Sequence, residues 1–218
     1  MELGPGEPAA GPWRVERLDD FARSLAAAAD PVGRPRIVAV DGRGGSGKTV
    51  LADRLAREFA PAAVVHSDDV AWAHSRFGWD DLMIAGILEP LHAGEAVSYR
   101  PPAWIRDGRE GSIDVDPGAL TVIIEGVGVS RRSLAPYLDV AIWVQSDYVE
   151  AKRRGVRRDM ADLGRDPEEA DRLWDEWEAE EAPFLEADQP WLRAGVIVGT
   201  ASWAAPHDPA TEVSVARG

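Results

Sequence analysis

The stretch AVDGRGGSGKTVLA, residues 39–52, decides the architecture. It runs from an apolar segment through glycines at 42, 44, 45 and 47 into a lysine, a threonine and a second apolar segment. Gly42, Gly47, Lys48 and Thr49 complete the pattern G-x-x-x-x-G-K-T. Glycine lets the backbone curl so that several N–H groups converge, and a helix opening near Gly47 adds the positive end of its dipole. Such a loop is built to hold phosphate. The amides of Gly42, Gly44, Gly45, Ser46 and Gly47 supply the cradle, Lys48 reaches the β/γ-phosphates, and the Thr49 hydroxyl ligates Mg²⁺.

The flanks supply the context this loop requires. RIVAVD, 36–41, reads as a buried strand ending at the glycines, and 47–59 as a helix. Four more apolar runs follow: AAVVHS (62–67), ALTVIIEG (119–126), DVAIWVQS (139–146) and AGVIVG (194–199). They are apolar throughout rather than alternating, as expected where both faces of a parallel sheet are covered. The expected fold is a three-layer α/β domain with a five-stranded parallel sheet.

Segment 13–29 puts Val15, Leu18, Phe21, Ala22 and Leu25 on one helical face, which can cover the sheet or meet a second copy of the chain. Segment 167–182 reads as an acidic helix with Leu173, Trp174 and Trp177 inward. It should end near Pro183, with its carboxylates forming a solvated face. The Pro/Gly/Ala-rich ends divide the chain into a flexible leader (1–12), one domain (13–203) and a flexible tail (204–218).

Composition narrows the function. A net charge of −14 argues against a general nucleic-acid binder. No stretch approaches the roughly 18 apolar residues of a membrane span. The leader lacks the basic and apolar regions of a secretory signal, and the chain has no cysteine, which together point to the cytoplasm. The chain also has no asparagine, so it lacks the Asn-Lys-x-Asp segment with which a GTPase reads guanine.

Ligands of open α/β sheets bind at the carboxyl ends of the strands. Two of those ends carry acids here: Asp68 and Asp69 after the second run, and Glu125 after the third. A carboxylate there can orient an acceptor hydroxyl and take its proton, and another can hold Mg²⁺-bound water. Helix capping is the plain alternative for the aspartates, and a strand-end turn for Glu125. Six of the 24 basic residues fall between Lys152 and Arg165. In an acidic chain this cluster reads either as a solvated helix surface or as a lid, about 153–167, closing guanidinium groups over a phosphoryl group.

Taken in order over about 36–199, DGRGGSGKT, SDD, IIEG and RRGVRRDMADLGRD resemble the uridine kinase family of P-loop nucleoside kinases. The resemblance implies the P-loop NTPase fold, ATP and Mg²⁺ as cofactors, and transfer of a phosphoryl group to the hydroxyl of a small, nucleoside-like molecule. It makes Asp68 the base, Glu125 a support for Mg²⁺, and Arg154, Arg158 and Arg165 lid contacts to ATP.

The chain departs from the family pattern in two places. Leu163 replaces an arginine of the lid. In YRPPAWIRDGR, 99–109, Tyr99 is kept while Arg100 and Trp104 stand where the family reads the pyrimidine and ribose. Trp104 then either stacks on a flat ring of the substrate or packs under the sheet edge, and Arg106 is a candidate substrate clamp.

Overall fold

The computed structural model describes residues 2–200 and 207–217. Its strands are β1 (Arg14–Arg17), β2 (Arg36–Gly42), β3 (Ala62–His66), β4 (Val97–Tyr99), β5 (Ile113–Val115), β6 (Thr121–Glu125), β7 (Val140–Gln145), β8 (Val196–Gly199) and β9 (Glu212–Ala216). The helices are α1 (Leu18–Ala28), α2 (Lys48–Glu58), α3 (Ser67–Ala71), α4 (Asp80–Met83), α5 (Glu89–His92), α6 (Pro102–Asp107), α7 (Tyr148–Leu163) and α8 (Pro167–Asp188). A π-helical turn, Ile84–Leu88, joins α4 to α5.

The main sheet runs β1-β9-β8-β7-β2-β6-β3. Its five central and distal strands, from β8 to β3, are parallel and are the five expected from the sequence. The pleat explains why they are apolar on both sides: Val38 and Val40 of β2 enter the core beneath α1 and α2, while Ile37 and Ala39 enter the core beneath the 79–91 segment. Fully buried Phe21, Leu55, Ile37 and Ile123 each contribute about 1.5–3 kcal/mol relative to exposure.

Four expectations are corrected. Residues 14–17 are a strand, not the first turn of a helix, because β1 pairs antiparallel with β9 and α1 starts only at Leu18. The expected tail therefore contributes β9, which also pairs with β8 and makes the sheet seven-stranded; residues 204–206 and 218 lie outside the described residues. The expected leader is laced to the domain. Glu7 is buried and accepts from Trp143 Nε1 (2.6 Å), Gln145 Nε2 (2.9 Å) and Arg43 Nε (3.2 Å). Helix α8 also continues through Pro183 to Asp188, held by Phe184 stacked on Phe77 and by buried Leu185.

One ion pair fixes the entry to β2. Arg34 grips Asp139 with two hydrogen bonds of 2.7 Å, and the Ile37 amide donates to the same carboxylate at 2.8 Å. Burial alone would push the Asp139 carboxyl up, but these donors hold it below its ordinary range. A depressed folded pKa means the stabilisation is complete above the unfolded value, about pH 4, and fades as pH falls towards the folded one. Asp139→Asn should therefore lower the thermal midpoint at pH 7 and flatten its decline below about pH 4. Parallel pH profiles for the two proteins would remove the pair from the acid response.

No helix among the described residues is long and apolar enough to cross a membrane.

Candidate active site

The glycine loop leaves β2 and enters α2 at Lys48. Gly42 is held at φ 158°, where a Cβ would stand 2.7 Å from the Val144 carbonyl, and Gly47 is left-handed at φ 98°. Lys48 is 8% exposed, and its Nζ donates to the Arg43 carbonyl at 3.2 Å.

Parallel register then assembles the acids. His66 of β3 pairs with Glu125 of β6, and Glu125 lies level with Val40 just before the loop. Thr49 Oγ1 donates to Glu125 Oε1 at 3.2 Å, and His66 Nδ1 lies 2.8 Å from Oε2. Burial pushes the Glu125 carboxyl up, yet the His66 hydrogen bond and the Lys48 charge hold it below its usual range. The same bond raises His66 above the ordinary imidazole value.

A cavity of about 270 Å³ brings Lys48, Thr49, Asp68, Glu125, Arg158 and Arg165 together, with Gly44 and Gly45 on its floor and Trp174 and Trp177 on α8 in its wall. Arg158 and Arg165 converge because both pair with Asp159, at 3.1 and 2.8 Å. Gly164, left-handed at φ 65°, ends α7 and lets the chain turn at Arg165 into α8. Arg154 does not line this cavity: its Nη1 lies 3.9 Å from where a Cβ on Gly47 would stand, and its Nε lies 3.8 Å from Glu150.

The expected substrate residues in 99–109 do not line the cavity. Tyr99 covers Gly86 of the π-helical turn, where a Cβ would fall 2.5 Å from its ring. Trp104 is 4% exposed, donates from Nε1 to the Asp69 carbonyl at 2.8 Å, and carries Arg109 over its ring at 3.6 Å. Arg106 is paired with Asp107 at 2.6 Å and donates to the Ala73 carbonyl at 2.8 Å. Of the two readings of Trp104, packing is the one the structure bears out.

Sequence reasoning missed four groups. Asp41 is fully buried and accepts from the amides of Gly42, Gly128 and Ser130 and from the Ser130 hydroxyl, all at 2.7–2.8 Å. It ties the base of the loop to the turn beyond Glu125, and burial raises its carboxyl despite these donors. Its signal was an acid closing an otherwise apolar strand. His66 carries no motif of its own and is placed only by register. Arg76 lines the cavity from a loop, beside Trp177. Glu181, assigned above to a solvated face, is 2% exposed and accepts from the Gly44 amide at 2.6 Å and from Trp177 Nε1 at 3.1 Å. The spacing 174, 177, 181 was its signal, because it continues the tryptophan face of α8.

Thr49 and Glu125 offer hard oxygen donors, and among the described residues no cluster of three or more Asp, Glu, His or Cys side chains gathers into a metal cage. That donor set fits Mg²⁺, which usually takes one or two protein oxygens and completes its shell with water and phosphate.

No protein-family profile matches the chain, and neither does any curated protein. Solved structures do. A candidate fructose transport system kinase from Silicibacter sp. TM1040 superposes with a TM-score of 0.63 at 23% identity, covering 78% of this chain and 94% of its own. The YGR205w protein gives 0.55 at 9% identity over 93% and 99%. A candidate uridine kinase from Bacillus stearothermophilus gives 0.50 at 19% identity over 83% and 96%. The fold and the glycine loop thus define the class: an α/β protein with the P-loop kinase fold.

Proposed function

We propose that the chain is an ATP- and Mg²⁺-dependent kinase that moves the γ-phosphoryl group of ATP to a hydroxyl of a small molecule. One observation carries this reading: Lys48, Thr49, Asp68 and Glu125 share a single cavity with Arg158 and Arg165. The loop amides and Lys48 hold the phosphates, and Thr49 and Glu125 hold Mg²⁺, which neutralises phosphate charge when bound. Asp68 orients the acceptor hydroxyl and takes its proton as the oxygen bonds to the γ-phosphorus and the bond to ADP breaks. Arg158 and Arg165 offset the charge spread over the transferring group.

The acceptor belongs in a second cavity of about 370 Å³ that shares Asp68, Arg76 and Trp177 with the first and adds Trp72 and His74. Its volume suits a small molecule, and its indoles suit a flat ring. A nucleoside such as uridine or cytidine, phosphorylated at its 5′-hydroxyl, is the first candidate. A different hydroxyl metabolite is the second reading, favoured by the placement of Tyr99, Trp104 and Arg106 outside this wall. The reaction would run in the cytoplasm, where ATP is supplied.

The test is a product assay by mass spectrometry with Mg²⁺-ATP and a panel of uridine, cytidine, other ribosides, pantothenate and simple sugars. The sugars enter because one fold neighbour is described as a fructose transport system kinase. A phosphorylated panel member identifies the acceptor class. Nucleotide bound without any phosphorylated product, from the panel or from a metabolite extract, would replace the kinase reading with that of a nucleotide-binding regulator.

A further inference from the structure

We propose that Glu181 is a built-in occupant of the phosphate loop, holding the Gly44 amide in place of a nucleotide oxygen, so that nucleotide enters only as Glu181 leaves. The proposal rests on the kinase reading for the identity of the ligand, and on the loop's own geometry for the rest. An amide has a single hydrogen, and that of Gly44 is committed at 2.6 Å to Glu181 Oε1. The acceptor is a carboxylate, the side chain closest in charge and shape to a phosphate edge, and it sits 2% exposed among Trp177, Arg43 and the loop. Arg43 Nη1, 3.9 Å from Glu181 Oε2, is buried and makes no hydrogen bond among the described residues.

The surrounding helices are seated on the same two residues. A Cβ on Gly44 would stand 3.2 Å from Trp174 of α8, and one on Gly45 only 2.1 Å from the Ala151 carbonyl of α7. The α7–α8 hairpin therefore closes directly onto Gly44 and Gly45, with Glu181 as its polar tooth. An incoming triphosphate meets a taken donor and a buried like charge. It must displace the carboxylate, and α8 moves with it. Seating of the hairpin and binding of nucleotide then oppose each other, and the penalty falls on nucleotides whose β- and γ-phosphates reach the loop.

Glu181→Gln keeps the side chain's shape and removes its charge. The variant should bind Mg²⁺-ATP about tenfold more tightly than the parent by calorimetry, a typical scale for coupling between a contact and a ligand, with AMP affinity unchanged. A permanent brace shaping the loop requires the opposite sign, so equal or weaker ATP binding by a folded variant overturns the proposal. A second measurement uses the unmodified chain: the indole N–H resonance of Trp177, assigned with Trp177→Phe, should shift on adding Mg²⁺-ATP and stay in place with AMP. An unmoved resonance at saturating ATP also overturns it. If the parent and the variant both bind ATP equally well, the kinase reading stands and only the role of Glu181 falls. If neither binds ATP, the kinase reading fails and carries this inference with it.

Discussion

Asp68→Asn should turn over about 10²–10⁴-fold more slowly than the parent while binding Mg²⁺-ATP with unchanged affinity, the usual range for removing a positioned general base. The competing account of Asp68 is structural, as a cap on α3. The geometry gives that account little to use, because no side-chain cap bond opens α3. Asp68 stands instead on the wall common to both cavities, within the set that includes Lys48 and Glu125. Losing a surface carboxylate with no hydrogen bond or ion pair among the described residues should shift stability by no more than about 0.5 kcal/mol. Thermal unfolding and turnover measured on the same preparation separate the accounts. Full activity would take Asp68 out of the chemistry, and a large drop in melting temperature would return it to the fold.

Trp104→Ala should cost about 3–5 kcal/mol of stability, the range for truncating a buried aromatic ring. Four contacts are lost or disturbed together. The ring fills the core between α6 and the 79–91 segment, its N–H satisfies the Asp69 carbonyl, it supports the Arg109 guanidinium, and Arg109 in turn pairs with Asp69 at 2.6 Å. Against a total of about 5–15 kcal/mol for an ordinary domain, that is a severe loss. Trp104→Phe keeps most of the apolar volume, drops the indole donor and should fall between the two. Chemical denaturation of all three proteins reads the series. An unchanged midpoint with a raised KM for the acceptor would instead make Trp104 a substrate contact.

Much of the architecture was legible because its signals are local. The phosphate loop is written in eight consecutive residues, and the five parallel strands announce themselves by being apolar on both faces. What was missed depends on partners distant in sequence. Residues 14–17 fit a helical period as well as a strand, and only pairing with β9, about two hundred residues later, decides between them. A tryptophan beside a binding segment has the same letter whether it faces a ligand or the core. Burial of Trp104 is set by where α6 lands. Glu181 is one of many carboxylates in α8, and the tryptophan face on which it sits becomes informative only when that face is found against Gly44. Register, likewise, is what turns an isolated His66 into the partner of Glu125.

The lacing of residues 2–10 onto the domain also says something about biosynthesis. Glu7 needs Trp143, Gln145 and Arg43, while Glu2 and Tyr148 bond through their backbones at 2.8 Å. Residues 2–10 are made before the domain they lace, and of the partners of Glu7 only Arg43 follows soon; Trp143 and Gln145 come with β7, after β2, β3 and β6. Arg43, in the glycine loop, and the Glu7 carboxylate that will hold it are both made before the two β7 side chains that fix that carboxylate in place. The glycine loop thus reaches its final surroundings only once β7 is in place, although the residues that brace it from 2–10 were made before it.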